Sequence, residues 1–353
     1  MLGQTRAMST PGDEDVTSRQ HGKRPTMLDV AREAGVALRT VSRVVNSDPT
    51  VGHDVMTRVQ AAVRALDYQP DERARQLRRG VTGLIGAAVR NLADAHLVLG
   101  AIDRAAREAK LTVLAMSTED EEDLEREAVM SMCRRRVDGL IIEPISTNHE
   151  YLAPELAAGL PLVAVDRPTS GIAADCVLSD NAAGIGTAFR HLTLHGHHQI
   201  AYIGDQERVF TGRERAAAFR ACIAASGGVL DGMVHPGVVE PARVAHALDR
   251  ILNGPRPATA ILTGSAETTV EVLRYLGPRA ADIALVGFDD FLLADLIRPA
   301  LTVIAQDSAT IGRTAIELLL ARTKDPTRPL ETVTVPVELI PRGSGELPPL
   351  ASG

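Results

Sequence analysis

Seven short apolar runs, TGLIGAAV, LTVLAMS, DGLIIEP, LPLVAVD, IAYIGD, ATAILTG and DIALVGF, punctuate residues 82–288. Most are separated by roughly 10–16 residues whose apolar positions recur at helical spacing. A continuous β-branched run with no polar alternate suits a strand that is covered on both faces. Such runs alternating with helices predict parallel sheets with helices on both faces. About 260 residues of this pattern is enough for two lobes. In open sheets of this kind ligands bind beyond the carboxyl ends of the strands, so strand-end residues are the binding candidates.

Residues 26–46, TMLDVAREAGVALRTVSRVVN, obey a different rule. Met27 to Ala34 reads as a short helix with Leu28, Ala31 and Ala34 on one face. Gly35 breaks it, and helical spacing resumes from Leu38 to Val45 through Val41, Val44 and Val45. A third helix with Val55, Val59, Val63 and Leu66 near helical spacing closes a small core. Two short helices joined by a glycine-containing turn predict a helix-turn-helix. Its second helix turns Leu38, Arg39, Thr40, Ser42 and Arg43 away from the valines. Short polar side chains at a helix start can reach base edges, and arginine can grip guanine or phosphate. One such arginine alone would be an ordinary solvated side chain; spacing, turn and charge together point to DNA. The formal net charge of −7 conceals that split. Residues 23–79 hold 11 Lys and Arg against 7 Asp and Glu, a balance of +4, whereas residues 80–353 hold 25 against 35, a balance of −10. A basic head on an acidic body suits a polyanionic partner met by the head.

DVAREAGVALRTVSRVVN resembles the DNA-binding head of the LacI family of bacterial transcription regulators. TRVQAAVRALDYQP is similar to that family's third helix and the tyrosine-proline opening its hinge, and ARQLRRG to the hinge helix. The likeness extends to about residue 344. The fold it implies is a small all-α helix-turn-helix domain plus an α/β two-lobed periplasmic-binding-protein-like domain. The expected boundaries are 1–23 for a disordered arm, 24–68 for the head and 69–80 for the hinge helix. Residues 81–344 then form the effector-binding and dimerisation domain, and 345–353 a flexible tail. The resemblance puts Leu38, Arg39 and Arg43 at the major groove, with Thr40 beside them. It implies phosphate or positioning roles for Thr26, Ser42, Asn46 and Tyr68. In the hinge, Leu77 matches a leucine that wedges into the minor groove, next to Ala74, with Arg75 and Arg78 on phosphates; an apolar wedge unstacks a base step and bends the duplex. Two departures weaken helix starts, since Ala37 and Gly52 stand where the family usually or often has serine. Function follows by the same resemblance: a regulator, read as a repressor, binding a pseudo-palindromic double-stranded operator as a homodimer and modulated by a small-molecule effector. A soluble small-molecule binding protein without a DNA role is the competing reading.

For the effector cleft the resemblance implies Asp94 and His96 after the first strand, then Asp166 in Asp166-Arg167-Pro168, Arg215, Ser265, Asp289 in VGFDD, and Gln306. An arginine with two carboxylates can bind hydroxyls, a carboxylate or a phosphate through charge-assisted bonds. Asp180-Asn181, before an Ala-Gly helix, is read as a helix cap. The family's Asn-Pro-Phe-Phe is replaced by Leu92-Ala93-Asp94-Ala95-His96, and its Asn-Asp pair by Ser265-Ala266. With no Trp in the chain, the commonest platform for a sugar face is missing, so the expectation is either an effector that is not a conventional sugar or a pocket that responds weakly to any small molecule. Other motifs read as structural. His195-Gly196-His197-His198 is a helix ending rather than a metal site, and Gly184-Ile185-Gly186 lacks the third glycine of a dinucleotide loop. Arg134-Arg135-Arg136 is a solvated helix end, and Cys133 beside it reads as buried rather than as a thiol of lowered pKa. Cys133, Cys176 and Cys222 are too widely spaced for a disulfide framework or a metal pair. Neither a catalytic arrangement nor a cofactor is expected. No apolar stretch nears the roughly 20 residues of a membrane span, and MLGQTRAMSTPGDEDVTSRQHG lacks a signal-peptide core, so a cytoplasmic protein is expected. ELIPRGSGELPPLASG carries no leucine heptad, which favours a dimer over a tetramer.

Overall fold

The computed structural model describes residues 25–45, 48–69, 81–92, 96–227, 231–237 and 240–349. The chain divides into two compact units, Met1–Gly80 and Val81–Gly353.

The first unit holds α1 (Met27–Ala34), α2 (Leu38–Val45) and α3 (His53–Ala65). Thr26 starts α1: its hydroxyl oxygen accepts from the Asp29 amide at 3.3 Å, and the Asp29 carboxylate accepts from the Thr26 amide at 2.8 Å. This reciprocal cap satisfies donors that the first helical turn leaves open. Gly35 ends α1 in the left-handed region, φ 61, which costs glycine no Cβ clash. Val30, Val41 and Val59 are fully buried, packed with Ala31, Ala34, Ala62 and Tyr68. Leu28, expected on the buried face, is instead 54% exposed. The inward stripe of α1 is Met27, Val30, Ala31 and Ala34, the i, i+3, i+4, i+7 set, and Leu28 lies about 100° around the helix from Met27.

The second unit opens with β1 (Leu84–Val89), α4 (His96–Glu108), β2 (Thr112–Ser117), α5 (Glu122–Arg134), β3 (Gly139–Ile142), α6 (Ala153–Ala157), β4 (Leu162–Val165) and β5 (Asp175–Ser179). The second lobe comprises α7 (Asn181–Leu194), β6 (Gln199–Gly204), α8 (Phe210–Ala225), β7 (Asp231–Pro236), α9 (Pro241–Asn253), β8 (Ala260–Thr263), α10 (Ala266–Leu276), β9 (Ala284–Phe288) and β10 (Thr302–Gln306). The chain then returns through α11 (Ser308–Lys324) and β11 (Thr332–Val335) to the first lobe, and ends on the second with β12 (Val337–Ile340). The first sheet runs β11-β5-β4-β3-β1-β2 and the second β12-β10-β9-β8-β6-β7. All pairings are parallel except β12, which lies antiparallel on β10 with Val303 opposite Ile340.

Each sheet is covered on both faces. In the first lobe Ile102 of α4 and Ile311, Ala315 and Leu319 of α11 pack on Ile85, Ile141 and Val163. Val129 and Met132 of α5 cover the other side over Ala88, Leu140 and Ile142. In the second lobe α9 and α10 cover one face through Leu248, Ile251 and Val272, and α7 and α8 the other through Ile185, Leu192 and Phe219. Gly184 of α7 is a packing residue: a Cβ there would meet Phe288 at 2.8 Å and Val337 at 2.9 Å.

Three short links join the lobes: Ser179-Asp180-Asn181, Gln306-Asp307-Ser308 and Val335-Pro336-Val337. Asp180 and Asp307 cap α7 and α11, accepting the Ala183 and Thr310 amides at 2.9 Å each. The segment 345–349, expected within a flexible tail, is instead docked on the second lobe. Glu346 accepts from the Thr302 hydroxyl at 2.9 Å and pairs with His191, the Leu347 carbonyl lies 2.8 Å from His197 Nε2, and Leu347 packs against the core. His195, in the same motif, caps the end of α7 with its Nδ1 2.9 Å from the His191 carbonyl. Among the described residues no helix is long and apolar enough to cross a membrane.

Candidate functional site

In the head, α2 buries Val41 and turns Leu38, 47% exposed, outward beside exposed Arg39 and Arg43, with Thr40 and Ser42 half-buried. A large apolar side chain is thus held in water at the start of a helix, next to a cation. Arg43 is already engaged: its Nε donates to Asp48 Oδ2 at 2.8 Å, and its guanidinium also reaches the Thr50 hydroxyl. Hydrogen bonds from Arg43 and Thr50 hold the Asp48 carboxyl well below the usual carboxylate range. Thr26 is used as the α1 cap, and Tyr68, 5% exposed, is part of the core. Asn46, Ala74, Arg75, Leu77 and Arg78 lie outside the described residues.

In the two-lobed unit the strand ends converge on a charged cleft. Arg215 of α8 is 3% exposed. Its Nε donates to Asn181 Oδ1 at 2.7 Å and its Nη1 to the Gly264 carbonyl at 2.6 Å, with Asp289 Oδ2 at 3.4 Å and the guanidinium 3.7 Å from the Phe288 ring centroid. Gln306 Nε2 donates to Asp289 Oδ1 at 2.5 Å, and Gln306 accepts from the Ser179 hydroxyl. Three expected residues, Arg215, Asp289 and Gln306, therefore form one network, and Asn181 positions the arginine instead of capping. Ser265 caps α10, accepting the Thr268 amide at 3.3 Å, and its hydroxyl donates to Asp205 at 3.1 Å. Burial pushes the Asp205 carboxyl up, against the pull of Arg215 and Arg90.

On the first lobe Asp166 lies 3.6 Å from Arg167 Nε, and its buried Oδ1 has no hydrogen-bond partner. Arg167 also reaches Asp120 at 3.2 Å and Glu143 at 3.6 Å. Burial outweighs both guanidiniums at Glu143 and raises its pKa. Arg90, the residue after β1, donates to Glu267 at 2.9 Å and lies 3.6 Å from Asp120. Asp94 lies outside the described residues, and His96 opens α4. Glu119, Asp120, Asp166 and Asp289 all hold positive φ, 50 to 73°. Such strain, uncommon for side chains with a Cβ, concentrates where the surroundings over-determine a functional geometry.

The sequence reading missed Arg90, Asp120, Glu143, Asp205 and Glu267. A signal existed for three of them: Arg90, Glu143 and Asp205 are the first residues beyond the LIGAAV, GLII and QIAYIG strands, as Asp166 and Asp289 are beyond theirs.

These features define a helix-turn-helix DNA-binding unit joined to a two-lobed sensor. Residues 26–71 match the bacterial regulatory proteins, lacI family, and residues 189–345 match the periplasmic binding protein-like domain. The chain is 31% identical over 338 residues to the HTH-type transcriptional regulator PtxS of Pseudomonas aeruginosa, spanning 91% of this chain and 96% of that one. It is 30% identical over 330 residues to the ribose operon repressor of Escherichia coli, spanning 90% and 99%. A crystal structure of the lac repressor dimer bound to operator and the anti-inducer ONPF superposes with a TM-score of 0.80 at 26% identity, covering 92% of this chain and 99% of that one. The chain belongs to the lacI family of bacterial regulatory proteins and is a DNA-binding transcriptional regulator.

Proposed function

We propose that this regulator is a repressor that binds a pseudo-palindromic operator as a homodimer and answers to a small molecule held between its lobes, without catalysing a reaction. The observation that carries the reading is α2, with Val41 buried and Leu38 and Arg39 exposed on a head of balance +4. One such helix reads half a site, so two heads and a two-fold operator go together. Within the proposed boundaries, 24–68 reads the major groove, 69–80 is the hinge whose Leu77 wedges the minor groove, and 81–344 senses the effector and pairs the subunits. Leu38, Arg39 and Arg43 contact base edges, Arg43 exchanging Asp48 for DNA. Thr26, Thr40, Ser42, Asn46, Tyr68, Ala74, Arg75 and Arg78 contact or position the backbone.

The effector contacts Arg215, Asp289, Gln306, Ser265 and Asp166, with Asp94 and His96 at the rim. Guanidiniums and carboxylates suit hydroxyl, carboxylate or phosphate groups alike, and the absence of Trp from the chain favours a ligand other than an unmodified sugar. Tight binding of an unmodified mono- or disaccharide in calorimetric titration overturns that choice. DNA binding is tested by titrating the protein's own promoter region across a salt series. Specific binding should weaken steeply, each neutralised phosphate adding about −0.9 to the slope of log K against log salt. Arg39→Ala should relax base preference by about 1–3 kcal/mol at one position per half-site. The absence of sequence-specific binding to any upstream fragment defeats the reading.

A further inference from the structure

Most of the cleft's ion pairs stay within one lobe. Arg167 gathers Asp120, Glu143 and Asp166 from first-lobe strand ends, and Arg215 gathers Asn181, Gly264 and Asp289 on the second. Arg90 differs. It follows β1 in the first lobe, yet its Nη1 donates at 2.9 Å to Glu267, in the first turn of α10 in the second. The pair is partly shielded, with side-chain exposures of 21% and 38%. Arg90 is held ready on its own lobe, with Asp120 at 3.6 Å and its amide donating to Glu143 at 3.1 Å. Glu267 is likewise favoured where it stands, because a carboxylate in a first helical turn faces the positive end of the helix dipole. Each partner thus keeps its place when the lobes part, and the contact between them exists only when the lobes are together. The Ser179–Gln306 hydrogen bond, by contrast, joins residues of two of the links themselves, where rotation of one lobe on the other moves atoms least.

We propose that Arg90 and Glu267 form a latch that draws the effector cleft shut before any effector arrives. The resting population of closed lobes is then written into the chain, and an effector shifts it only by the difference in its affinity for the two arrangements. A molecule that takes Arg90 from Glu267 must replace the closure it removes. The proposal rests on the reading of this cleft as the effector site.

Pulsed-EPR distances test it on the full chain without effector, with Cys133, Cys176 and Cys222 replaced by alanine. Spin labels go at Glu119 and Arg208, exposed residues beyond β2 and β6, in chain diluted with unlabelled protein. The parent should be mainly closed at low salt. Glu267→Gln and Arg90→Gln should each raise the open-to-closed ratio roughly two- to five-fold, the size expected of one partly exposed ion pair. High salt should do the same to the parent and little to the variants. The double variant Arg90→Gln with Glu267→Gln should open the cleft no further than either single variant, as expected when the two substitutions remove one shared contact. Distance distributions of both single variants that superimpose on the parent's at low salt overturn the latch. A thermal-shift panel of small molecules on the parent and Arg215→Ala tests the cleft separately: a failed latch leaves an Arg215-dependent shift intact, and a cleft that binds nothing leaves the effector-free distances intact.

Discussion

Ala37 precedes α2 and offers that helix only its carbonyl, which accepts the Thr40 and Val41 amides at 2.8 and 3.2 Å. Gly52 likewise starts α3 without a side-chain bond, at φ −60 and ψ 146. α1, in contrast, is capped reciprocally by Thr26 and Asp29. Because α2 carries the DNA-reading face, its weak start matters most. A serine at position 37 can cap an open amide, which is worth about 1 kcal/mol against alanine, whereas replacing glycine gains only a few tenths. Ala37→Ser should therefore slow hydrogen exchange of the buried Val30 and Val41 amides about five-fold in the intact chain, and Gly52→Ser by much less. Equal or faster exchange in Ala37→Ser excludes the cap. Residue chemistry also settles the cysteines: burial pushes the Cys133 thiol up to about 11, more than neighbouring Arg134 pulls it down, and Cys176 up to about 12. Neither is a ready thiolate near neutral pH.

Between elements, α5 braces the loop after β3 through one buried carboxylate. Glu125 is fully buried; it accepts the Ile145 amide at 2.6 Å and the Tyr151 hydroxyl at 3.0 Å, and lies 3.2 Å from His149 Nε2. That loop begins with Glu143 and Pro144, which meet Arg167 in the cleft. Burial opposes ionisation of Glu125, but the bonds from His149, Ile145 and Ser146 win and bring its pKa from 4.5 down to about 2. A carboxyl lowered on folding adds stability that is complete above its unfolded pKa and is lost as pH falls through the folded one. Glu125→Gln should thus be destabilised by up to about 3 kcal/mol at pH 7. Its deficit in urea midpoint against the parent should shrink as pH drops from 4.5 toward 2; a pH-independent deficit would falsify the brace as an ionic one. The seven apolar runs marked six interior strands, β1, β3, β4, β6, β8 and β9, which are covered on both faces, together with the edge strand β2. They did not mark the sheet-edge strands β7, β11 and β12 or the interior β10, nor β5, whose Asp175 is buried at 0% exposure. Arg322 makes that burial possible, donating to both Asp175 oxygens at 3.0 Å. A partner 147 residues away leaves no local trace in sequence. The cleft was legible by halves for the same reason. Arg215, Asp289 and Gln306 follow a motif, whereas Arg90 with Glu267 requires two lobes to meet.

At the scale of the whole molecule, an acidic body confines DNA contact to the basic head, and one head spans half a site. Specific affinity therefore depends on how firmly two chains are joined. Leu292, Leu293 and Leu296, in the turns after β9, are 83%, 56% and 63% exposed. Three large apolar side chains within five residues form a patch that a soluble monomer would leave wet at a cost, and such patches mark protein contacts. If the proposed homodimer pairs through this patch, a second copy of this chain is its occupant. Burying an aspartate unpaired in such a contact is strongly unfavourable, while on a free surface it costs the monomer little. The double variant Leu292→Asp with Leu296→Asp should shift the chain from dimer to monomer in sedimentation, with its far-ultraviolet spectrum and thermal transition retained. Operator affinity should fall with it by roughly 10²–10⁴-fold, the advantage lost when two linked heads become one, whereas binding to a single half-site fragment should not change. A variant that still sediments as a dimer and holds its operator as tightly as the parent places the subunit contact elsewhere on the body.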